Sequence, residues 1–234
     1  MTHFIDRADA GRQLVARLEH HRRDEPVVLA LPRGGVLVAA EIAKAFHVPL
    51  ELLIVRKIGA PGNPELAIGA VSDGEVPQRV LRNDIVELFH VDQTYIERET
   101  EHQMAEIARR RRIYLGDRPR PAVAGRIAIV VDDGIATGST VEAALQALRH
   151  QSPKRIVLAV PVAPPDTIAR LGRSADEIVC LATPDPFYAI SPYFGDFHQL
   201  DDQEVIAALA ECDREAEQAR KASPTPSPAR SAHP

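Results

Sequence analysis

The chain has no tryptophan, only two methionines and two cysteines, and just 4% of its residues are aromatic. Cys180 and Cys212 lie far apart, without the spacing of a metal knuckle or a disulfide framework, which leads us to expect a reduced, cytoplasmic protein. No apolar run long enough for a signal sequence or a membrane span follows Met1-Thr2-His3-Phe4. Neither charge sign dominates: 28 Lys and Arg stand against 33 Asp and Glu, for a net charge of −5, so nothing draws the chain toward nucleic acid or a membrane surface in general. There is no internal repeat, no nucleophilic triad and no metal-ligand spacing. The nine histidines are scattered, and His20, His21 and His150 read as cations at helix ends. What is present is apolar bulk. With 45% hydrophobic residues over 234 positions, the chain can bury a sizeable core, and a small ligand is the expected partner.

Short apolar runs of strand length recur at 27–31, 50–55, 127–131, 156–160 and 178–181, with helical patterns filling several gaps. Continuous apolar runs of this kind are what parallel strands buried on both faces look like. The expected fold is therefore an α/β, doubly wound, mainly parallel sheet, whose ligands bind beyond the carboxyl ends of the strands. A helix over about Asp6–Arg22, capped by Asp6, should precede it. Asp73-Gly74 predicts a hairpin turn between strands at about 66–71 and 75–81. A charged helix is expected over about Asp92–Tyr114, with Val91 and Ile96 as a staple and Gly116 as stop. Hairpin and helix together read as an insertion at about 63–118 in a domain spanning 1–212. A final helix over about 202–219 leads toward a Pro- and Ser-rich end, and residues 213–234 are assigned to a disordered tail.

Chemistry concentrates in Ile129 to Thr140. Asp132 and Asp133 stand at the mouth of an apolar strand, followed by the small-residue loop Ala136-Thr137-Gly138-Ser139-Thr140 and then by Val141, Ala144, Leu145 and Leu148 at helical spacing. A loop at a helix N-terminus offers unpaired backbone N–H groups to a phosphate. The carboxylates would repel that phosphate but suit the vicinal hydroxyls of a ribose, so the site reads as one for ribose 5-phosphate. No Gly-Lys-Ser/Thr follows as in a Walker A loop, and no G-x-G-x-x-G follows a strand. Leu31-Pro32-Arg33-Gly34-Gly35 stands at another strand exit. There the glycines permit close backbone approach and Arg33 offers a planar fork to an anion. Arg56-Lys57-Ile58-Gly59-Ala60-Pro61-Gly62 supplies two more cations.

Val130 to Thr140 resembles the phosphoribosyl-diphosphate (PRPP) motif of the type I phosphoribosyltransferases, and the chain looks most like uncharacterised bacterial phosphoribosyltransferase-like proteins. The resemblance implies transfer of the phosphoribosyl group from PRPP to a nitrogen heterocycle, with release of diphosphate. It assigns Thr137 to Thr140 to the 5′-phosphate, Asp132 and Asp133 to the ribose and its developing positive charge, and Arg33, Gly34 and Gly35 to the diphosphate. In this family that loop often carries a cis peptide, which would fit Arg33-Gly34. Arg56 and Lys57 would reach the same diphosphate, and 63–70 would belong to a closing loop that contributes Glu65. Mg²⁺ would arrive with PRPP, touching Asp132 and Asp133 through water. The aromatic segment at about 183–200 corresponds to the hood over the base, with Phe187 and Tyr188 as acceptor contacts and Ala136 lining the approach. The 6-oxopurine enzymes carry an aspartate where this chain has Ala136, and the orotate enzymes have a different loop. Family members commonly dimerise. The alternative is a non-catalytic, PRPP-sensing regulator, for which Arg109 to Arg112 is the only support; a phosphatase or hydrolase acting on a sugar phosphate is weaker still.

Overall fold

The computed structural model describes residues 3–74 and 77–222. Five parallel strands form the main sheet in the order β2-β1-β6-β7-β8: β1 (Val27–Ala30), β2 (Leu50–Leu52), β6 (Ile127–Val131), β7 (Arg155–Val162) and β8 (Glu177–Ala182). In β1, Val28 and Ala30 face one layer, while Val27 and Leu29 face the other. Period-2 alternation with apolar residues on both faces is what a sheet covered on both sides requires. One layer holds α1 (Arg7–Leu18), α2 (Gly35–Phe46) and α7 (Asp202–Ala222); the other holds α5 (Ser139–Arg149) and α6 (Pro165–Leu171). The sheet is doubly wound, as the spacing of apolar runs predicts. Val141, Ala144, Leu145 and Leu148 form the buried stripe of α5.

A second, three-stranded antiparallel sheet consists of β3 (Val55–Ala60), β4 (Asn63–Ser72) and β5 (Gln78–Leu81). Two expectations change here. The run at 50–55 breaks after Leu52, and Val55 opens a strand of the other sheet, paired with Ser72. The added sheet therefore begins before residue 63. Residues 63–70, expected in a closing loop, lie in β4, with Lys57 opposite Ala70 and Ile58 opposite Gly69; β3 satisfies their backbone groups. The hairpin between β4 and β5 forms as expected, with residues 75 and 76 of its connection outside the described ones.

α3 (Asn83–Leu88) and α4 (Gln93–Leu115) follow. Val91 and Ile96 are buried at the entry of α4, and Gly116, at φ +56°, ends it. Asp6 caps α1 by accepting the Asp9 N–H at 2.7 Å. α1 stops at Leu18, and a 3₁₀ segment (Glu19–Asp24) takes over. α7 runs to Ala222, so residues 213–222, assigned to a disordered tail, are helical: Cys212 and Leu209 anchor this helix in the core. Residues 223–234 lie outside the described ones. Among the described residues no helix is long and apolar enough to cross a membrane.

Candidate active site

Because β1 and β6 are parallel neighbours, their carboxyl ends open side by side. Leu31 donates its N–H to the Val131 carbonyl at 2.9 Å, tying the two exits together. The chain leaves β1 through a cis Pro32–Arg33 peptide, one residue earlier than expected. It then enters α2 at Gly34 and Gly35. These glycines are needed for close approach: a Cβ on Gly34 would stand 1.8 Å from Asp133 Oδ2, and one on Gly35 would stand 2.5 Å from the Val131 carbonyl. The Arg33–Gly35 turn and the acidic pair are in van der Waals contact.

Asp132 and Asp133 both titrate above the ordinary carboxylate range because burial penalises their charge. For Asp132 the neighbouring Asp133 adds to the effect. For Asp133 an arginine opposes it. Arg7 Nε donates to Asp133 Oδ2 at 2.8 Å, with side-chain exposures of 7% and 13%. Arg7 also donates to the His198 carbonyl at 3.0 Å and lies 3.9 Å above the Phe197 ring. One buried guanidinium thus joins α1, the acidic pair and the hood. The sequence held a signal for it: Arg7 lies on the helical stripe of Ala10, Leu14 and Leu18, where a cation has no place without a partner.

Asp132 Oδ1 accepts the Asp133 N–H at 2.9 Å. This bond and the Arg7 contact leave the second oxygen of each carboxylate for ribose hydroxyls or for water on a metal. Such a donor set fits Mg²⁺ held mainly by substrate oxygens and water.

The loop 136–140 wraps the N-terminus of α5, and Gly138 adopts φ +70° as its cap. First-turn N–H groups have no intrahelical acceptor, and Thr137, Ser139 and Thr140 are exposed. α6 holds the loop in shape from behind. Thr167 Oγ1 donates to the Ala136 carbonyl at 2.9 Å, and Arg170 bridges the Thr137 carbonyl and Glu142. Neither Thr167 nor Arg170 carries a local motif, because their role depends on the packing of α6.

The outer residues divide. Lys57 lines a cleft of about 430 Å³ together with Ser139, Arg82 and Arg170, and lies 3.6 Å from Glu65, whose side chain is 92% exposed. Arg56 points to the other face of β3, donating to Gln103 of α4 at 2.9 Å. Arg33 and Gly34 line a second cleft, of about 320 Å³, with Arg7, Phe197 and Leu200. Within the hood, Phe187 stacks on Tyr193 at 5.9 Å, and Tyr188 is 87% exposed. The hood residue that meets the acidic motif is Ile190, whose Cγ2 lies 2.5 Å from where a Gly134 Cβ would be.

The phosphoribosyl transferase domain matches residues 5–190, which span both strand exits and the whole acidic motif. The chain belongs to that family. Two Mycobacterium tuberculosis proteins, described as "Putative phosphoribosyl transferase Rv0571c" (strain H37Rv) and "Putative phosphoribosyl transferase MT0597" (strain CDC 1551), are each 47% identical to it over 212 residues, or 91% of this chain and 47% of theirs. The chain thus spans about half the length of the curated relatives it matches. The crystal structure of TT1426 from Thermus thermophilus is similar at a TM-score of 0.79 and 43% identity, covering 89% of this chain and 98% of that one. The fold is that of a type I phosphoribosyltransferase with an added antiparallel sheet.

Proposed function

We propose that this phosphoribosyltransferase moves the 5-phosphoribosyl group from PRPP to a nitrogen heterocycle and releases diphosphate. The reading is carried by one observation: two half-buried carboxylates packed against a glycine turn that carries an arginine and followed directly by the N-terminus of α5. The N-terminus of α5 and the hydroxyls of Thr137, Ser139 and Thr140 would bind the 5′-phosphate. Asp132 and Asp133 would accept hydrogen bonds from the ribose hydroxyls and oppose the positive charge that develops on the sugar as diphosphate leaves. Arg33, with the N–H groups of Gly34 and Gly35, would hold the diphosphate. Mg²⁺, when bound, would neutralise part of the diphosphate charge. Lys57 faces the phosphate loop across the cleft and would add a further cation, whereas Arg56 reaches that anion only by leaving Gln103. Glu65 on β4 and the exposed Tyr188 would meet the acceptor beside Ala136.

The regulatory alternative drew on Arg109 to Arg112. Arg109 and Arg110 are both held by Glu106, and Arg111 pairs with Glu51 at 2.8 Å, so three of these cations already have partners inside the protein. The decisive experiment is PRPP-dependent diphosphate release with Mg²⁺ across a panel of heterocyclic bases. Release with at least one base is expected. PRPP binding with no release from any base would replace catalysis by sensing.

A further inference from the structure

At the opposite end of the main sheet, a group of side chains converges that the transfer chemistry does not use. His20 and His21 lie in the 3₁₀ segment after α1, and Glu177 is the first residue of β8. His20 Nε2 stands 3.0 Å from Glu177 Oε1, and His21 Nε2 stands 3.1 Å from Oε2. All three ligand atoms fall within 4.8 Å of one another. Donors bound at about 2.0–2.1 Å around a tetrahedral ion stand roughly 3.4 Å apart, so each imidazole need move only about 0.3–0.4 Å from the carboxylate, and the two imidazole nitrogens need draw together by at most about 1.4 Å, to surround one. His21 is buried at 2% exposure, and its other ring nitrogen, Nδ1, faces Asp24 Oδ2 at 3.7 Å. An outer carboxylate hydrogen-bonded to the far nitrogen is how metal-bound imidazoles are oriented, and Asp24 need approach by only about 0.7 Å to make that bond. His20 is 57% exposed at its side chain, on an open depression where water can complete the shell. Arg155 approaches the same Glu177 carboxylate only to 3.9 Å, farther than either imidazole.

We infer that His20, His21 and Glu177 form a binding site for one divalent transition metal, with Asp24 orienting His21. Two imidazoles and one carboxylate favour Zn²⁺ and its neighbours Co²⁺ and Ni²⁺ over Mg²⁺ or Ca²⁺, which prefer all-oxygen shells. The site is distinct from the acidic pair. β6 and β8 run parallel, Asp132 follows the carboxyl end of β6 and Glu177 opens the amino end of β8, so the length of a five-residue strand, roughly 16 Å, separates the two. A metal there would tie the end of the first helical segment to the edge strand and act on stability. It does not depend on the phosphoribosyl-transfer reading.

The test uses the tag-free, chelator-stripped 234-residue chain. Titration with Co²⁺ is followed by visible absorption and titration with Zn²⁺ by calorimetry and thermal melting. We expect one equivalent to bind, a tetrahedral Co²⁺ spectrum displaced by Zn²⁺ but not by Mg²⁺, and a higher melting temperature with Zn²⁺. His20→Ala should keep the metal-free melting temperature, because the side chain is exposed, but lose the spectrum and at least about tenfold in Zn²⁺ affinity. Absence of saturable one-equivalent binding by the parent chain overturns the site. So does equal Zn²⁺ affinity in the parent, His20→Ala and Glu177→Gln, or a Glu177→Gln melting loss identical with and without Zn²⁺, which would mark a hydrogen-bonded cluster and nothing more.

Discussion

Arg7 is the residue on which three parts of the candidate site depend, and it illustrates how a buried cation acts. Its guanidinium is nearly sealed from water and opposes the burial that pushes Asp133 upward. Arg7→Met would leave that carboxylate uncompensated. Removing one partner of a buried pair costs about 3 kcal/mol or more at neutral pH. The loss should shrink as pH falls, because a carboxyl whose folded pKa is raised carries its penalty only above that pKa. Unfolding by denaturant at pH 7.5 and pH 5.5 reads this directly, and the acid limb of kcat/KM should move to higher pH in the variant. On the proposed role, in which these carboxylates oppose the charge of the transition state, Asp132→Asn with Asp133→Asn should lower turnover far more than PRPP affinity. Single-turnover kinetics beside calorimetry separates the two effects.

At the scale of elements, the β1–α2 turn and the α5 N-terminus, the two anion cradles of the proposed site, are held in register by the pairing of β1 with β6. Arg33 lies in the first. Arg33→Ala should reduce the preference for PRPP over ribose 5-phosphate by at least about tenfold, the consequence of losing a charged contact of about 1.5–3 kcal/mol. Equal losses for both ligands, measured by calorimetry, would remove it from the diphosphate. The turn itself tolerates no added atom. Gly34→Ala places a carbon on Asp133 Oδ2 and should cost turnover about a hundredfold through misplacement of the loop. Gly172→Ala at the end of α6, where the nearest atoms are 3.5 Å away, is the matched control and should be silent.

For the whole molecule, the join between the two sheets is charged and buried. Asp73, at 3% exposure, accepts the Ile54 N–H at 3.0 Å and lies 3.2 Å from Arg120 and 3.6 Å from Arg111. Burial outweighs these partners and raises its pKa from 3.8 to about 6. A raised carboxyl leaves stability intact below its unfolded pKa and removes it as pH rises through the folded one. At about 1.4 kcal/mol per pH unit, the stability of the parent relative to Asp73→Asn should fall by up to about 3 kcal/mol between pH 4 and pH 7 and stay level above. Chemical unfolding of both proteins across that range checks it.

Much of this molecule is local information. Apolar runs at strand length, the stripe of α5, the Asp6 cap and the Asp132 to Thr140 motif are all written within a few consecutive residues, because periodicity and helix capping act over one or two turns. The sequence by itself therefore determined the doubly wound sheet and that its acidic pair and the small-residue loop stand between a strand exit and a helix N-terminus. What needed the tertiary structure were the partners brought from far along the chain. Arg7 reaches Asp133 across 126 positions, Thr167 and Arg170 brace a loop some 30 residues away, and His20 and His21 meet Glu177 across more than 150. The switch of Val55 to a second sheet and the separate directions of Arg56 and Lys57 belong with them. A strand's two faces look alike in sequence until packing selects what covers each.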